Sequence, residues 1–394
     1  SARATAQVAA DGREQSGPVL TTPGRSESPS ILIDGPSPPR PPEVISRDEQ
    51  GRVTIRATRL AEPLELDGLL QENVYESVAS VGDFVQQVPD EGEPATENTQ
   101  VWVFFDDENV YISARCWDTQ PGRMVANELR RDNIGIFYND NFAVTLDTFY
   151  DRRNGFLFQT NPIGGMVDGY MTDERVHDRD WNTVWRTQSR TFEDGWTVEM
   201  AIPFKSLRYK PGQVQIWGIN FRRINQAKNE HSYLTRIPAS LAGGGVYKVS
   251  SSATLVGIEP PSGVKHLELK PYALSSLTTD LAADPAFDNH LGGDLGFDVK
   301  YGLTRSLTLD FTYNTDFAQV EADQQQVNLT RFSLFFPEKR EFFLEGQGIF
   351  AFGDPGRRRR GGSSFGFRPP SNTPILFFSR RIGLSEGETV PILA

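Results

Sequence analysis

The chain has 394 residues, enough for two or three domains, with 38% hydrophobic and 11% aromatic residues. Its formal charge of −12 opposes a phosphate backbone, which excludes nucleic-acid binding unless a local basic patch overrides it. A single cysteine, Cys116, excludes an intramolecular disulfide, and histidines at 177, 231, 266 and 290 have no zinc-ligand spacing.

Many large rings with few aliphatics, broken often by 35 Gly and 26 Pro, suit an all-β chain of short strands and turns. No stretch reaches the ~18 apolar residues of a membrane helix. Ser1-Ala2-Arg3-Ala4-Thr5-Ala6-Gln7 places small residues at alternate positions. That is the tail of a removed signal peptide or an ordinary Ala-rich start. The first reading implies export across the inner membrane and a periplasmic, membrane-peripheral protein.

Residues 1–45 form a low-complexity arm with Pro36, Pro38, Pro39, Pro41 and Pro42 close together. Only Ile31, Leu32 and Ile33 offer it an apolar anchor, so alone it is expected to be extended, and ordered only along a partner surface.

Residues 46–258 read as a β-sandwich. Val101–Phe105 and Val110–Asp118 flank the polar turn Asp106-Asp107-Glu108-Asn109, which predicts a hairpin. Phe142–Asp147 and Gly155–Thr160 predict a second, around Asp151-Arg152-Arg153-Asn154. Gly195–Pro203 and Ile216–Arg222 continue the series, and strands at this spacing with few helical stretches indicate a sandwich.

Residues 259–394 predict longer antiparallel strands at His266–Leu274, Leu291–Tyr301, Ser306–Tyr313 and Val327–Phe336. Alternation such as Leu307-Thr308-Leu309-Asp310-Phe311-Thr312-Tyr313 suits a barrel wall, and equally any half-buried sheet. About 135 residues supply roughly five or six such strands against the eight of the smallest membrane barrels, so this region is expected not to close a barrel alone.

The motifs carry a resemblance. Leu66-Asp67-Gly68-Leu69-Leu70-Gln71-Glu72 with Tyr75 resembles the opening element of family 9 carbohydrate-binding domains, with Tyr75 where Trp is usual. Asp106–Ile112, Asp140–Asp147 and Gly195–Phe204 fit the same family. Asn314–Asp323, Val327–Phe332, Phe336–Gly346 and Phe378–Gly383 resemble a bacterial envelope group in which such a domain precedes an outer-membrane barrel of unknown function. The group continues through more strands than this chain holds. Either the barrel continues past Ala394, or this member has lost it and is a membrane-extrinsic subunit docked on an integral membrane complex, similar in overall character to those on gemmatimonad-type photosynthetic reaction centre–antenna complexes.

Sugar sites stack a pyranose on an aromatic ring while polar groups bind its hydroxyls. Trp102, Trp196 and Trp217 lie in apolar runs and read as core, whereas Trp181 and Trp185, in the polar stretch His177–Trp185, are the stacking candidates. Calcium is the one candidate cofactor, with Asp106, Asp107, Asp140, Asp178 and Asp180 as oxygen donors, though none has the spacing of an ion-binding loop. No nucleophile–base signature or phosphate-cradling loop appears, so the chain is expected not to be an enzyme. Glu199, a charge inside an apolar strand, is expected to face solvent or pair with an arginine. Arg357, Arg358, Arg359 and Arg360, in a Gly-rich stretch, are contact candidates for lipid headgroups or an acidic partner. Two functions are compatible with these features: a non-catalytic scaffold on a membrane complex, or a glycan-binding domain.

Overall fold

A computed structural model describes residues 33–174, 176–178, 181–210, 214–261, 267–280, 285, 287–304, 307–314, 384–385 and 388–389. Ile31, Leu32, Asp180, Arg357–Arg360 and the strand expected at 327–336 lie outside the described residues. Ser1–Asp34 and Gly35–Ala394 are separate compact units, and the sheets belong to the second.

Its first strands are β1 (Ile45–Arg47), β2 (Val53–Arg56), β3 (Thr58–Arg59), β4 (Val85–Val88), β5 (Thr99–Phe105) and β6 (Asn109–Trp117). Next come β7 (Asn141–Asp147), β8 (Gly155–Thr160), β9 (Met166–Thr172), β10 (Val176–Asp178), β11 (Arg186–Phe192) and β12 (Gly195–Pro203). The sandwich closes with β13 (Gln215–Asn225), β14 (Glu230–Tyr233) and β15 (Ala253–Ile258). The smaller sheet runs β11-β12-β6-β5-β3; the larger runs β1-β2-β15-β13-β7-β8-β9-β10, with β14 and β4 extending from β13. The expected hairpins are β5–β6 and β7–β8.

Period-2 alternation sorts the side chains. Phe142, Val144, Leu146, Phe156, Phe158, Trp217, Ile219 and Phe221 of the larger sheet meet Val103, Ile112, Val198 and Met200 of the smaller one in a single core. Cys116 is fully buried there, and burial pushes its thiol up to about 11. A thiol reagent at neutral pH should therefore label the folded chain negligibly and the denatured chain to one equivalent; rapid labelling of the folded chain would contradict this placement.

Glu199 corrects its sequence expectation. It neither faces solvent nor meets an arginine, but is fully buried under the segment carrying the Asp67-Gly68 motif. Its carboxylate accepts from the amides of Gly68 (2.8 Å) and Asp67 (3.1 Å) and from the Tyr75 hydroxyl (2.7 Å). Gly68 has φ of +80°, and a Cβ there would lie 3.2–3.3 Å from Arg190, so the motif needs glycine at that turn. Tyr75 also packs edge-on against Trp102 and Phe104.

Beyond the sandwich, β16 (Leu267–Asp280), β17 (Phe287–Thr304) and β18 (Leu307–Tyr313) form an antiparallel sheet. The register aligns Leu269 with Val299 and Phe311, and Pro271 with Phe297 and Tyr313. That face also holds Leu267, Leu277, Leu291, Leu295 and Leu309, all exposed, with Leu291 and Leu295 above 70%. Lys270, Tyr272, Asp298, Lys300, Asp310 and Thr312 take the opposite parity. Asp310 lies 3.6 Å from Arg208 of the sandwich.

Candidate functional site

The outward face of the larger sheet holds the candidate site. On β13 the core takes Trp217, Ile219 and Phe221, so Asn220 and Arg222 must point away from it. Register carries one row across four strands: Tyr233 on β14, Arg222 on β13, Ala143 on β7 and Gln159 on β8. Ala143, the smallest of the four, is fully buried in an apolar cluster with Tyr233, Ile237, Val246 and Val249, which covers the middle of the row.

Arg222 is 1% exposed and Gln159 is fully buried. Buried polar groups are normally paired, and these are not. Among the described residues both amide atoms of Gln159, Nε and Nη1 of Arg222, Nδ1 of His231 and Oε1 of Gln87 have no partner of good hydrogen-bond geometry, and the Tyr233 hydroxyl lies against the Arg222 guanidinium. Arg222 makes one described hydrogen bond, from Nη2 to Asn141 Oδ1 at 3.0 Å, and its guanidinium carbon lies 5.6 Å from the Phe137 ring centroid.

Adjacent Arg223 differs, with only its Nε left without a partner. Parity turns it to the core side, where it closes the end of the sandwich by donating to Asn98 O (2.9 Å), Thr99 Oγ1 (3.1 Å) and the Trp117 carbonyl. Asp140 lies in its field.

Two segments border the row. The turn Ile134–Tyr138 is capped by Asn133, whose side chain accepts from the Gly135 amide, and Asn141 Nδ2 donates to the carbonyls of Ile136 and Asn139. It places Phe137 against Arg222 and leaves Tyr138 74% exposed. Across the row, Gln87 Nε2 holds the segment Ala239–Tyr247 by donating to Pro238 O (3.1 Å) and Ala242 O (2.9 Å). A Cβ on Gly245 would stand 2.6 Å from Gln87 Nε2 and 2.8 Å from Tyr233 Oη, so the bare backbone of this segment sits on the site's polar atoms. Ala242 is held at φ 45°, ψ −139°, a backbone strain of about 1–3 kcal/mol.

The unpartnered set mixes donors and acceptors, as the hydroxyls of a sugar require. Burial, then the Arg222 charge, pushes His231 down to about 4, so it is neutral at neutral pH. Its folded value lies below the ordinary ~6.5. Its contribution to stability is therefore full above that ordinary value and lost as pH falls towards 4. Melting curves between pH 7 and 4 should fall less steeply for His231→Gln than for the native chain; equal slopes would contradict this.

The residues expected from sequence lie elsewhere. Trp185 is 4% exposed inside the core, its ring 5.2 Å from Phe158, and it has no free face for a pyranose. Trp181 is half-buried, 5.1 Å from Phe156. Asp106 accepts from the amides of Glu108 and Asn109 and from Tyr111, Asp107 pairs with Arg59, and Asp140 accepts from the Val125 amide. Asp178 lies in β10. Among the described residues no three His, Cys, Asp or Glu side chains gather as metal ligands.

Residues 66–237 match the family described as carbohydrate family 9 binding domain-like. The row from Ala143 to Tyr233 lies inside that segment. Residues 264–370 match a domain of unknown function, DUF5916. The two packed sheets hold the whole of the segment 66–237 that resembles the family 9 domain. Among solved structures, a family 9 carbohydrate-binding module from Caldicellulosiruptor kristjanssonii in complex with cellotriose is 16% identical. It covers 52% of this chain and 95% of its own, with a TM-score of 0.36. The same module with glucose is 16% identical over 54% and 98%, at 0.38. A Bacteroides uniformis ATCC 8492 protein, whose description proposes carbohydrate binding, is 10% identical over 52% and 98%, at 0.42. No curated protein matches the chain.

Proposed function

We propose that the sandwich is a non-catalytic glycan-binding module and that its site is the outward row of the larger sheet. The observation that carries this is the set of unpartnered, buried hydrogen-bonding atoms on Arg222, Gln159 and Gln87, lying within the family-matched segment. Such atoms, left dry, cost roughly 1–3 kcal/mol each, a loss that sugar hydroxyls reverse. The titratable side chains of the site, Arg222, His231 and Tyr233, include no carboxylate pair, which suits recognition rather than bond cleavage. Calorimetric titration of the full chain with a panel of mono- and oligosaccharides tests the reading. Binding to one sugar class, abolished by Gln159→Leu, is expected; no heat with any sugar contradicts it.

The sheet β16–β18 adds a membrane-facing function, and here the support is its one-sided apolar face. From Leu267 to Leu277 this face runs roughly 33 Å at ~3.3 Å per residue, or about 23 Å at a ~45° tilt, close to the ~25 Å apolar band of outer-membrane strands. Lipid is the occupant we propose, which makes the chain an extracytoplasmic glycan receptor held at a membrane. The full chain should float with phosphatidylethanolamine–phosphatidylglycerol vesicles, and Leu269→Asp with Phe311→Asp should abolish flotation. Failure to float, with copurification of an integral protein complex instead, would return the scaffold reading.

A further inference from the structure

We propose that the glycan taken by this site is acidic, with its carboxylate seated on Arg222; this rests on the glycan-binding reading above.

Charge decides the ligand class. Three exposed or half-buried arginines of the sandwich meet carboxylates, Arg130 with Glu128 at 2.7 Å, Arg131 with Asp168 at 2.5 Å and Arg153 with Asp173 at 2.6 Å, while buried Arg223 is answered by two carbonyls and a hydroxyl. Arg222 is more deeply buried than these, yet among the described residues no carboxylate lies within ion-pair distance of it. A buried charge without a counter-charge is far costlier than a buried neutral polar group. Asn141 answers one guanidinium nitrogen with a neutral oxygen, and the Phe137 ring face adds a weak attraction. The remaining guanidinium nitrogens meet no charged acceptor among the described residues, only the neutral Tyr233 hydroxyl nearby. A neutral sugar or a trapped water supplies acceptors but no charge; a carboxylate supplies both.

Spacing fits the same class. Arg222 and Gln159 stand two strand positions apart, about 10 Å between backbones, with only Ala143 between them. A carboxylate on Arg222 with hydroxyls at Gln159 spans that distance, and the pyranose between them displaces the apolar cover that Val246 and its neighbours lay over Ala143. The segment Ala239–Tyr247 carries Gly243, Gly244 and Gly245, and a Cβ at either of the first two meets nothing within 4 Å, so the cover on that side is thin.

The experiment is calorimetric titration of the full chain with D-glucuronate and D-galacturonate against D-glucose and D-galactose. One uronate should bind at least tenfold more tightly than its neutral parent. Arg222→Met, verified as folded by its melting curve, should erase that preference, and Gln159→Leu should weaken uronate and neutral sugar together. Equal affinity for the neutral parent, or a uronate preference that survives Arg222→Met, would overturn the proposal and leave the glycan reading standing. Silence with all four sugars would overturn both.

Discussion

Arg222→Met is expected to melt at a higher temperature than the native chain while losing its ligand. The guanidinium costs desolvation and regains one neutral hydrogen bond and a ring contact. Methionine fills similar volume in an irregular space without a charge. Replacing buried charged groups by apolar ones of like size stabilises proteins by about 1–4 kcal/mol. Here the unpaired Asn141 oxygen offsets part of that, leaving a gain of roughly 1–2 kcal/mol, or several degrees for a domain of this size. A binding residue is the kind that trades stability for recognition. A lower melting temperature with unchanged sugar binding would assign Arg222 a purely structural role.

The largest loss is expected on the opposite sheet. Glu199→Ala strands the amides of Asp67 and Gly68 in a buried site and leaves the Tyr75 hydroxyl with Ser113 Oγ alone, at 2.8 Å. Leaving such partners unpaired costs about 3–5 kcal/mol in all. Tyr75→Phe removes its bond to Glu199 and the one to Ser113 Oγ and should cost about 1–2 kcal/mol. Burial raises the Glu199 carboxyl above its ordinary value, outweighing the bonds that favour its charge. Its contribution is thus full below the unfolded carboxylate range and lost as pH rises through the raised folded value. Glu199→Gln removes that charge, so its deficit relative to the native chain should narrow as pH rises from 4 to 7. Chemical denaturation at both ends of that range reads the difference, and a Glu199→Ala variant as stable as the native chain would refute the clamp.

The strands were legible because alternation and turn chemistry are local. Asp106-Asp107-Glu108-Asn109 announces the β5–β6 hairpin whatever surrounds it. The one-sided face of β16–β18 was equally readable, since Leu307–Tyr313 alternates in the sequence itself. Pairing across strands was not. Nothing near Glu199 in the chain shows that Asp67 and Tyr75 close over it, because those contacts span more than 120 positions. The candidate site was hidden for the same reason: Tyr233, Arg222, Ala143 and Gln159 become neighbours only through the register of four strands. Trp181 and Trp185 drew notice because their local sequence is polar, but hydrophilic neighbours do not prevent a large ring from packing on Phe156 and Phe158. One signal was available. Arg222-Arg223 sits in a strand whose preceding residues alternate into the core, so one of the two had to leave it.

A glycan array probed with the full chain and with the double variant Arg222→Met, Gln159→Leu tests the site most directly. The native chain should bind a restricted set of glycans, enriched in uronic acids, and the folded double variant should bind none of them. The same spots retained by the double variant, or an array blank for the native chain, would contradict the assignment of this face as the glycan site.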